Sequence, residues 1–219
     1  MGLYRRFVLP RLIDLAMKGD APTERRSALI PKASGSVLEV GVGSGHNLPF
    51  YSEAVTRLQG VDPSAELLAM ARQRLSRARA SFPVELTCHS AERLPVDAAS
   101  IDTVVTTWTL CSIPDPLGAL REMRRVLKPG GRLLFVEHGL SPDAKVAAWQ
   151  GRLTPMWRRL AGGCNLDRKI DALIESAGFG ITQLETSYLQ GPRPMTYTYE
   201  GVAAPGGGSA PRPVEGHDG

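Results

Sequence analysis

Cysteine is scarce in this chain of 219 residues: Cys88, Cys111 and Cys164 stand far apart, in an odd number and without a C-x-x-C pair. That pattern suggests neither a disulfide scaffold nor a structural zinc site, so no metal is expected, and it suits a reducing cytoplasm. Long apolar runs are also missing. None approaches the roughly 18 residues of a membrane span. Arg5, Arg6, Pro10, Arg11 and Asp14 interrupt the N-terminus, which therefore does not read as a signal peptide. Nor is there a large excess of one charge. Twenty-six Lys and Arg against 22 Asp and Glu leave a net +4, too little to call for a nucleic-acid partner.

What is present is an ordinary globular composition, 42% hydrophobic and 22% charged, in a length that suits one domain with an addition. A chain of this size buries roughly 70% of its unfolded surface and needs no covalent staple. The positive charge is front-loaded: residues 1–32 carry Arg5, Arg6, Arg11, Lys18, Arg25, Arg26 and Lys32 against Asp14, Asp20 and Glu24. A solvated helix face accounts for this, and so would contact with anionic lipid. Residues 203–219 are rich in Gly, Pro and Ala, have little to bury, and are expected to form a disordered tail.

Between these ends, short apolar runs alternate with helical stretches. Val37–Val40, a weaker run at 57–62, Val84–Cys88, Ile101–Thr107 and the nearly continuous Leu133–Val136 read as strands. Leu67, Leu68, Ala71 and Leu75 recur at helical spacing between Ser64 and Arg79. Leu117, Leu120, Met123 and Leu127 do so after Asp115-Pro116, a good helix start, and Pro129-Gly130-Gly131 ends that stretch. Such a rhythm predicts an α/β domain with a parallel sheet and right-handed crossovers. After a helix over Ile170–Ala177, the alternating runs 180–188 and 195–202 predict a closing antiparallel pair.

Gly41-Val42-Gly43-Ser44-Gly45 follows the first strand directly, where glycine lets backbone N–H groups approach a ligand. A helix N-terminus is expected next, favouring an anionic group. Asp62 closes the second strand, where nucleotide-binding α/β folds place an acidic side chain on ribose hydroxyls. The same Asp could cap the helix that follows. A dinucleotide loop would need glycine at position 46, and His46 stands there, which disfavours an NAD-dependent oxidoreductase.

Taken in order, Val37 to Gly45, Val61-Asp62-Pro63, Ala91-Glu92-Arg93-Leu94-Pro95 and Arg125 to Gly131 resemble a class I S-adenosylmethionine-dependent methyltransferase over about residues 30 to 202. Leu110-Cys111-Ser112-Ile113, Glu137-His138 and Gly163-Cys164-Asn165-Leu166 are further similar to the alkyl-thiol methyltransferases of animals and their bacterial relatives. The resemblance implies a Rossmann-like, seven-stranded, mostly parallel sheet with a C-terminal antiparallel hairpin and helices on both faces. It implies S-adenosyl-L-methionine as cofactor, with Gly41, Gly43 and Gly45 cradling its methionine part and Glu39 fixing the loop or the ammonium group. It also implies Asp62 on the ribose, Pro63 and Ala91 with Glu92 about the adenine, and Thr107 and Trp108 near the methionine portion. Ser90 stands where many relatives carry an acid that accepts from the adenine amino group, so that acceptor lacks charge assistance. Relatives in animals start with a hydrophobic membrane anchor, of which this chain has only a short, charged version.

The expected organisation is lid helices over 1–32, the cofactor domain over 33–202 and the tail. His138, after a strand at the carboxyl edge of the sheet, is the candidate base or orienting group, with a loop hydrogen bond as the plainer role. Of the other histidines, His46 reads as a cofactor-loop neighbour. Trp149, Leu153, Met156, Trp157 and Leu160 suit either a lipophilic substrate pocket or core packing, and Cys164 and Asn165 would line that pocket or start a helix at Asp167. Cys88 and Cys111 read as small buried side chains. Leu3, Phe7, Val8, Leu12 and Leu15 suit a lid or peripheral membrane contact. The function these readings define is methyl transfer to a small lipophilic acceptor, with a thiol favoured. A quinone precursor or phospholipid amine is the alternative acceptor, and a non-catalytic cofactor-binding module the alternative of another class.

Overall fold

The computed structural model describes residues 2–78 and 80–206. Seven strands form one sheet: β1 (Gly35–Val40), β2 (Val55–Asp62), β3 (Val84–Cys88), β4 (Ile101–Thr107), β5 (Leu127–His138), β6 (Phe179–Tyr188) and β7 (Tyr197–Pro205), in the order β3-β2-β1-β4-β5-β7-β6. The first five are parallel, and β7 runs antiparallel to both β5 and β6. This is the expected mostly parallel sheet closed by an antiparallel hairpin.

Strand periodicity sorts the side chains into two layers. Leu38, Val40, Val104, Leu133 and Phe135 face a core completed by Ala119, Leu120 and Met123 of α4 (Pro116–Val126) and by Ile170 and Ile174 of α6 (Ile170–Ser176). Their neighbours Val37, Val105, Leu134 and Val136 face the opposite core. There they meet Leu29 at the end of α2 (Asp20–Leu29), Ile30 beyond it, and Leu75 of α3 (Ala65–Arg77). Both faces are thus covered, which is why β5 reads as continuous hydrophobicity.

Local chemistry starts the helices where the sequence signals it. Ser64 Oγ accepts from Leu67 N at 3.2 Å, and Asp115 Oδ1 accepts from Gly118 N at 2.9 Å with Pro116 at the first helical position. Before α2, α1 (Leu9–Ala16) continues from a π-helical turn at Tyr4–Val8 and takes Pro10 into its first turn, where a missing N–H is tolerated. The front segment is divided in role. Leu9, Pro10, Ile13 and Met17 border the cleft described below, whereas Leu29 and Ile30 are fully buried in the core.

Several expectations shift. Only a three-residue 3₁₀ turn, Leu48–Phe50, follows the glycine loop, so no α-helix N-terminus faces a ligand there. The helix expected from Asp167 begins at Ile170, because 164–168 are held in an irregular loop by their own hydrogen bonds. β7 continues past Val202, with Ala203, Ala204 and Pro205 paired to Leu133, Gly180 and Phe179. Cys88 is exposed, since β3 is an edge strand. Arg79 and positions 207–219 of the expected tail lie outside the described residues.

Candidate functional site

The chain order reverses between β1 and β4, which leave opposite ways from the middle of the sheet, and ligands of open α/β sheets bind outside the carboxyl ends at such a point. A cleft of about 310 Å³ opens there. Its walls include Glu39, Gly41 and Gly43 from β1 and the loop after it, Asp62 and Pro63 at the end of β2, and Ser90, Ala91 and Glu92 after β3. Thr107 and Trp108, where β4 ends, complete this set. All of these are residues that the sequence nominates. Of the cofactor-binding and catalytic nominees, two are absent from the walls, as are Cys164 and Asn165. Gly45 takes φ +83° in a turn whose missing Cβ makes room for Leu48 and Ala71, which is a packing role. His138 is buried behind the cleft, at the end of β5.

Backbone requirements explain the loop. Gly41 has φ +75°, and a Cβ on it would collide with the Thr109 side chain, so glycine is needed for both conformation and space. Gly43 has φ +54° and donates its N–H to Asp62 Oδ2 at 3.0 Å. Asp62 Oδ1 accepts from Ser64 N at 2.8 Å. Asp62 therefore does not cap the helix directly. It ties the glycine loop to the start of α3, while Ser64 provides the cap. Burial pushes its carboxyl pKa up, opposed by the two N–H donors.

Glu39 lies 1% exposed in a polar network. Asn47 Nδ2 donates to Glu39 Oε1 at 2.9 Å and to Thr107 Oγ1 at 3.0 Å, and the Tyr51 hydroxyl donates to Glu39 Oε2 at 2.8 Å. Arg26, also buried, donates from Nε to Asn47 Oδ1 at 3.0 Å, and its guanidinium stands 4.9 Å from the centre of the Trp108 ring. Burial lifts the Glu39 pKa to about 7 against the pull of Tyr51, Asn47 and Arg26. Trp108 itself has φ +50°, unusual for a bulky residue, and its N–H is anchored on Val136 O at 2.7 Å.

The front helix is fastened over this floor. Asp14 of α1 lies 3.0 Å from His46 Nε2 and 3.1 Å from Arg74 Nη2. Burial opposes its ionisation, but hydrogen bonds from Lys18, Ser44 and Arg74 win and hold the carboxyl well below its usual range. Burial and the charges of Arg74 and Arg26 lower the His46 pKa, against the pull of Asp14. The position that a dinucleotide loop would leave bare is thus a contact between the glycine loop and α1.

Ser90, in the cleft wall, donates its hydroxyl hydrogen to one Glu92 carboxylate oxygen, and the other accepts from Asp115 N; the Ser90 oxygen can still accept. The expectation for the apolar set at 149–160 is corrected. None of Trp149, Leu153, Met156, Trp157 and Leu160 borders the cleft. Trp149, Met156 and Leu160 are exposed, and Leu153 and Trp157 pack on Cys111, Cys164 and Leu166. Ala161 and Gly162, just beyond α5 (Ala144–Leu160), reach the wall instead, with Ser112, Ile113 and Pro114. The sequence reading missed Arg26, Asn47 and Tyr51. Nothing local marks them, because their meaning comes from Glu39, which lies on another element.

A family model described as a methyltransferase domain matches residues 38–135, the stretch that supplies Glu39, the glycine loop, Asp62 and Trp108. Thiol S-methyltransferase TMT1A from Homo sapiens is 33% identical over 177 residues, 77% of this chain and 71% of that protein. Thiol S-methyltransferase TMT1B from Rattus norvegicus is 34% identical over 152 residues, 68% of this chain and 62% of that protein. The matched part is thus less than two thirds of the rat protein's length. Among solved structures, a putative methyltransferase from Bacillus halodurans C-125 superposes with a TM-score of 0.63 over 84% of this chain and 94% of that one; at 20% identity this is a likeness of fold. Sheet order and the place of the cleft are those of the class I S-adenosylmethionine-dependent methyltransferases. Within that class the chain belongs to the methyltransferase-domain family, together with the human and rat proteins just named.

Proposed function

We propose that the chain methylates a small lipophilic thiol, using S-adenosyl-L-methionine held in the cleft between the glycine loop and α1. The observation that carries this reading is the placement of two buried carboxylates, Glu39 and Asp62, on the wall of a single cleft in a chain whose relatives bear the name thiol S-methyltransferase. Glu39 would receive the ammonium group, Asp62 the ribose hydroxyls, and Pro63, Leu67 and Ala91 the purine. When bound, the cofactor supplies a sulfonium-activated methyl group that a thiolate can take by direct displacement. The chain's task is then to position and to exclude water, which supplies roughly 7 to 11 kcal/mol of the barrier reduction. Leu9, Pro10, Ile13, Met17 and Ile113 give the acceptor end an apolar wall. A thiol with a pKa near ~8.5 ionises without a strong base, which agrees with His138 being set back from the cleft.

An acceptor screen with methyl-labelled cofactor tests this. Label is expected in alkyl thiols at least tenfold above phenols and phosphatidylethanolamine. Transfer to none of the three, or preference for the lipid amine, would overturn the thiol reading.

The same reading places the front helices against a membrane surface in the cytoplasm. Leu3, Phe7, Leu12 and Leu15 are exposed, as are Met156 and Leu160, and Tyr4 Oη donates to Leu160 O at 2.8 Å, joining the two segments. Arg6, Arg11, Arg158 and Arg159 are exposed within them. No helix among the described residues is long and apolar enough to cross a membrane. Co-sedimentation with anionic vesicles is expected at low salt and is expected to weaken at high salt; absence of binding at low salt ends the idea.

A further inference from the structure

We propose that Cys111, His138 and Cys164 form a buried site for one divalent metal ion of the zinc class, distinct from the cofactor cleft. Each comes from a different part of the chain: the turn after β4, the last residue of β5, and the loop between α5 and α6. Their two sulfurs and one imidazole nitrogen nevertheless lie within 4.8 Å of one another, and all three residues are buried. Cys164 Sγ is 3.3 Å from His138 Nε2. Sulfur and nitrogen on one tetrahedral zinc, at about 2.3 and about 2.0–2.1 Å, stand about 3.5 Å apart, so the observed spacing needs only a small outward adjustment.

The donor chemistry is selective. Two thiolates and an imidazole suit a borderline-soft ion and make a poor site for magnesium or calcium, which take oxygen ligands. The charges balance on binding: the two cysteines, neutral thiols without an ion, would lose their protons to become thiolates, which a divalent ion neutralises. Three protein ligands leave one position for an exogenous ligand.

The frame around the donors is built in advance. Asn165 donates from both its backbone N and Nδ2 to Cys111 O at 2.9 Å, Nδ2 also reaches Gly163 O at 2.8 Å, and Arg168 donates to Leu110 O. Glu137 accepts from Thr109 N at 3.1 Å and from Leu110 N at 3.0 Å, fixing the turn that carries Cys111. Gly163, at φ +100°, lets the loop double back so that Cys164 points inward. These bonds fix the backbone of the turn and of the loop that carry the two cysteines. A disulfide between the two cysteines would use neither the imidazole nor its convergence on the sulfurs. The ion would bind the segment bearing Ser112 and Ile113 to the segment bearing Ala161 and Gly162, two parts of the cleft wall.

The test reads the metal directly and does not depend on methyl transfer. Full-length protein purified under reducing conditions and exchanged with Co(II) is expected to show thiolate-to-cobalt charge transfer and the d–d bands of a tetrahedral site. Native mass spectrometry of the zinc form is expected to show one ion per chain. Cys111→Ser and Cys164→Ser should each weaken binding by more than the roughly 10–100-fold that loss of an outer partner costs, and Cys88→Ser should change nothing. Lack of a charge-transfer band in folded wild-type protein overturns the proposal even if a serine variant does not fold. So does a band that survives both substitutions, or a Cys111–Cys164 disulfide in the reduced preparation.

Discussion

Asp62→Ala is expected to weaken S-adenosylhomocysteine binding at least 100-fold while leaving the chain folded. Two ribose hydroxyls bonded to an ionised carboxylate contribute about 1.5–3 kcal/mol each, and about 1.4 kcal/mol corresponds to each tenfold in affinity. The carboxylate also holds Gly43 N and Ser64 N, so its removal loosens the glycine loop that forms the next part of the wall. Each N–H left unpaired there lowers stability by about 1–3 kcal/mol, about 2–6 kcal/mol for the two where water does not replace the carboxylate, against about 5–15 kcal/mol for a whole domain. Asp62→Asn separates the two effects, because an amide oxygen can still accept from one N–H but brings no charge to the ribose. Calorimetric titration with S-adenosylhomocysteine, and with NAD as a control, measures the outcome. A loss below tenfold in Asp62→Ala would remove Asp62 from ribose recognition, and heat with NAD in wild-type protein would count against S-adenosylmethionine as the cofactor of this cleft.

How much of this was legible in the sequence depends on where the information lies. β1, β4 and β5 declare themselves because both faces are buried, and α3 and α4 because Ser64 and Asp115 mark their starts. The glycine loop, Asp62 and the ends of β3 and β4 are contiguous stretches, so the residues that line the cleft from them could be named in advance. What could not be read depends on pairs distant in the chain. Arg26 looks like one more base in a basic segment until Asn47 links it to Glu39. Cys111 and Cys164 look unrelated, 53 positions apart, until the α5–α6 loop returns to the turn after β4. His138 shows both sides of this limit: its place at the sheet edge was readable, but the direction of its ring, towards Cys164, was not.

Glu39 should give cofactor binding a pH dependence that Glu39→Gln removes. In the free protein burial raises its carboxyl from 4.5 to about 7, so near neutrality a substantial fraction is protonated. An ammonium group beside it favours the ionised form, which lowers its pKa in the complex and makes binding release a proton. Affinity for S-adenosylhomocysteine is therefore expected to rise from pH 5.5 towards 7, by up to about tenfold per pH unit at the acid end, and to level off above the folded value. Stability of the free protein moves the opposite way. A carboxyl whose folded pKa is raised binds its proton more tightly in the folded state, so the associated stability is complete below 4.5 and is lost as pH rises through about 7. The span from 4.5 to about 7 corresponds to about 3 kcal/mol. Glu39→Gln keeps the side chain's size and one acceptor for Asn47 or Tyr51, abolishes the ionisation, and should weaken binding about 10- to 100-fold at pH 8, the loss of a charge-assisted pair worth about 1.5–3 kcal/mol. Titrations at several pH values, in buffers of different ionisation heat, report affinity and proton release together. Affinity in wild-type protein that does not change between pH 5.5 and 7, or a slope that persists in Glu39→Gln, would place the ammonium group elsewhere in the cleft.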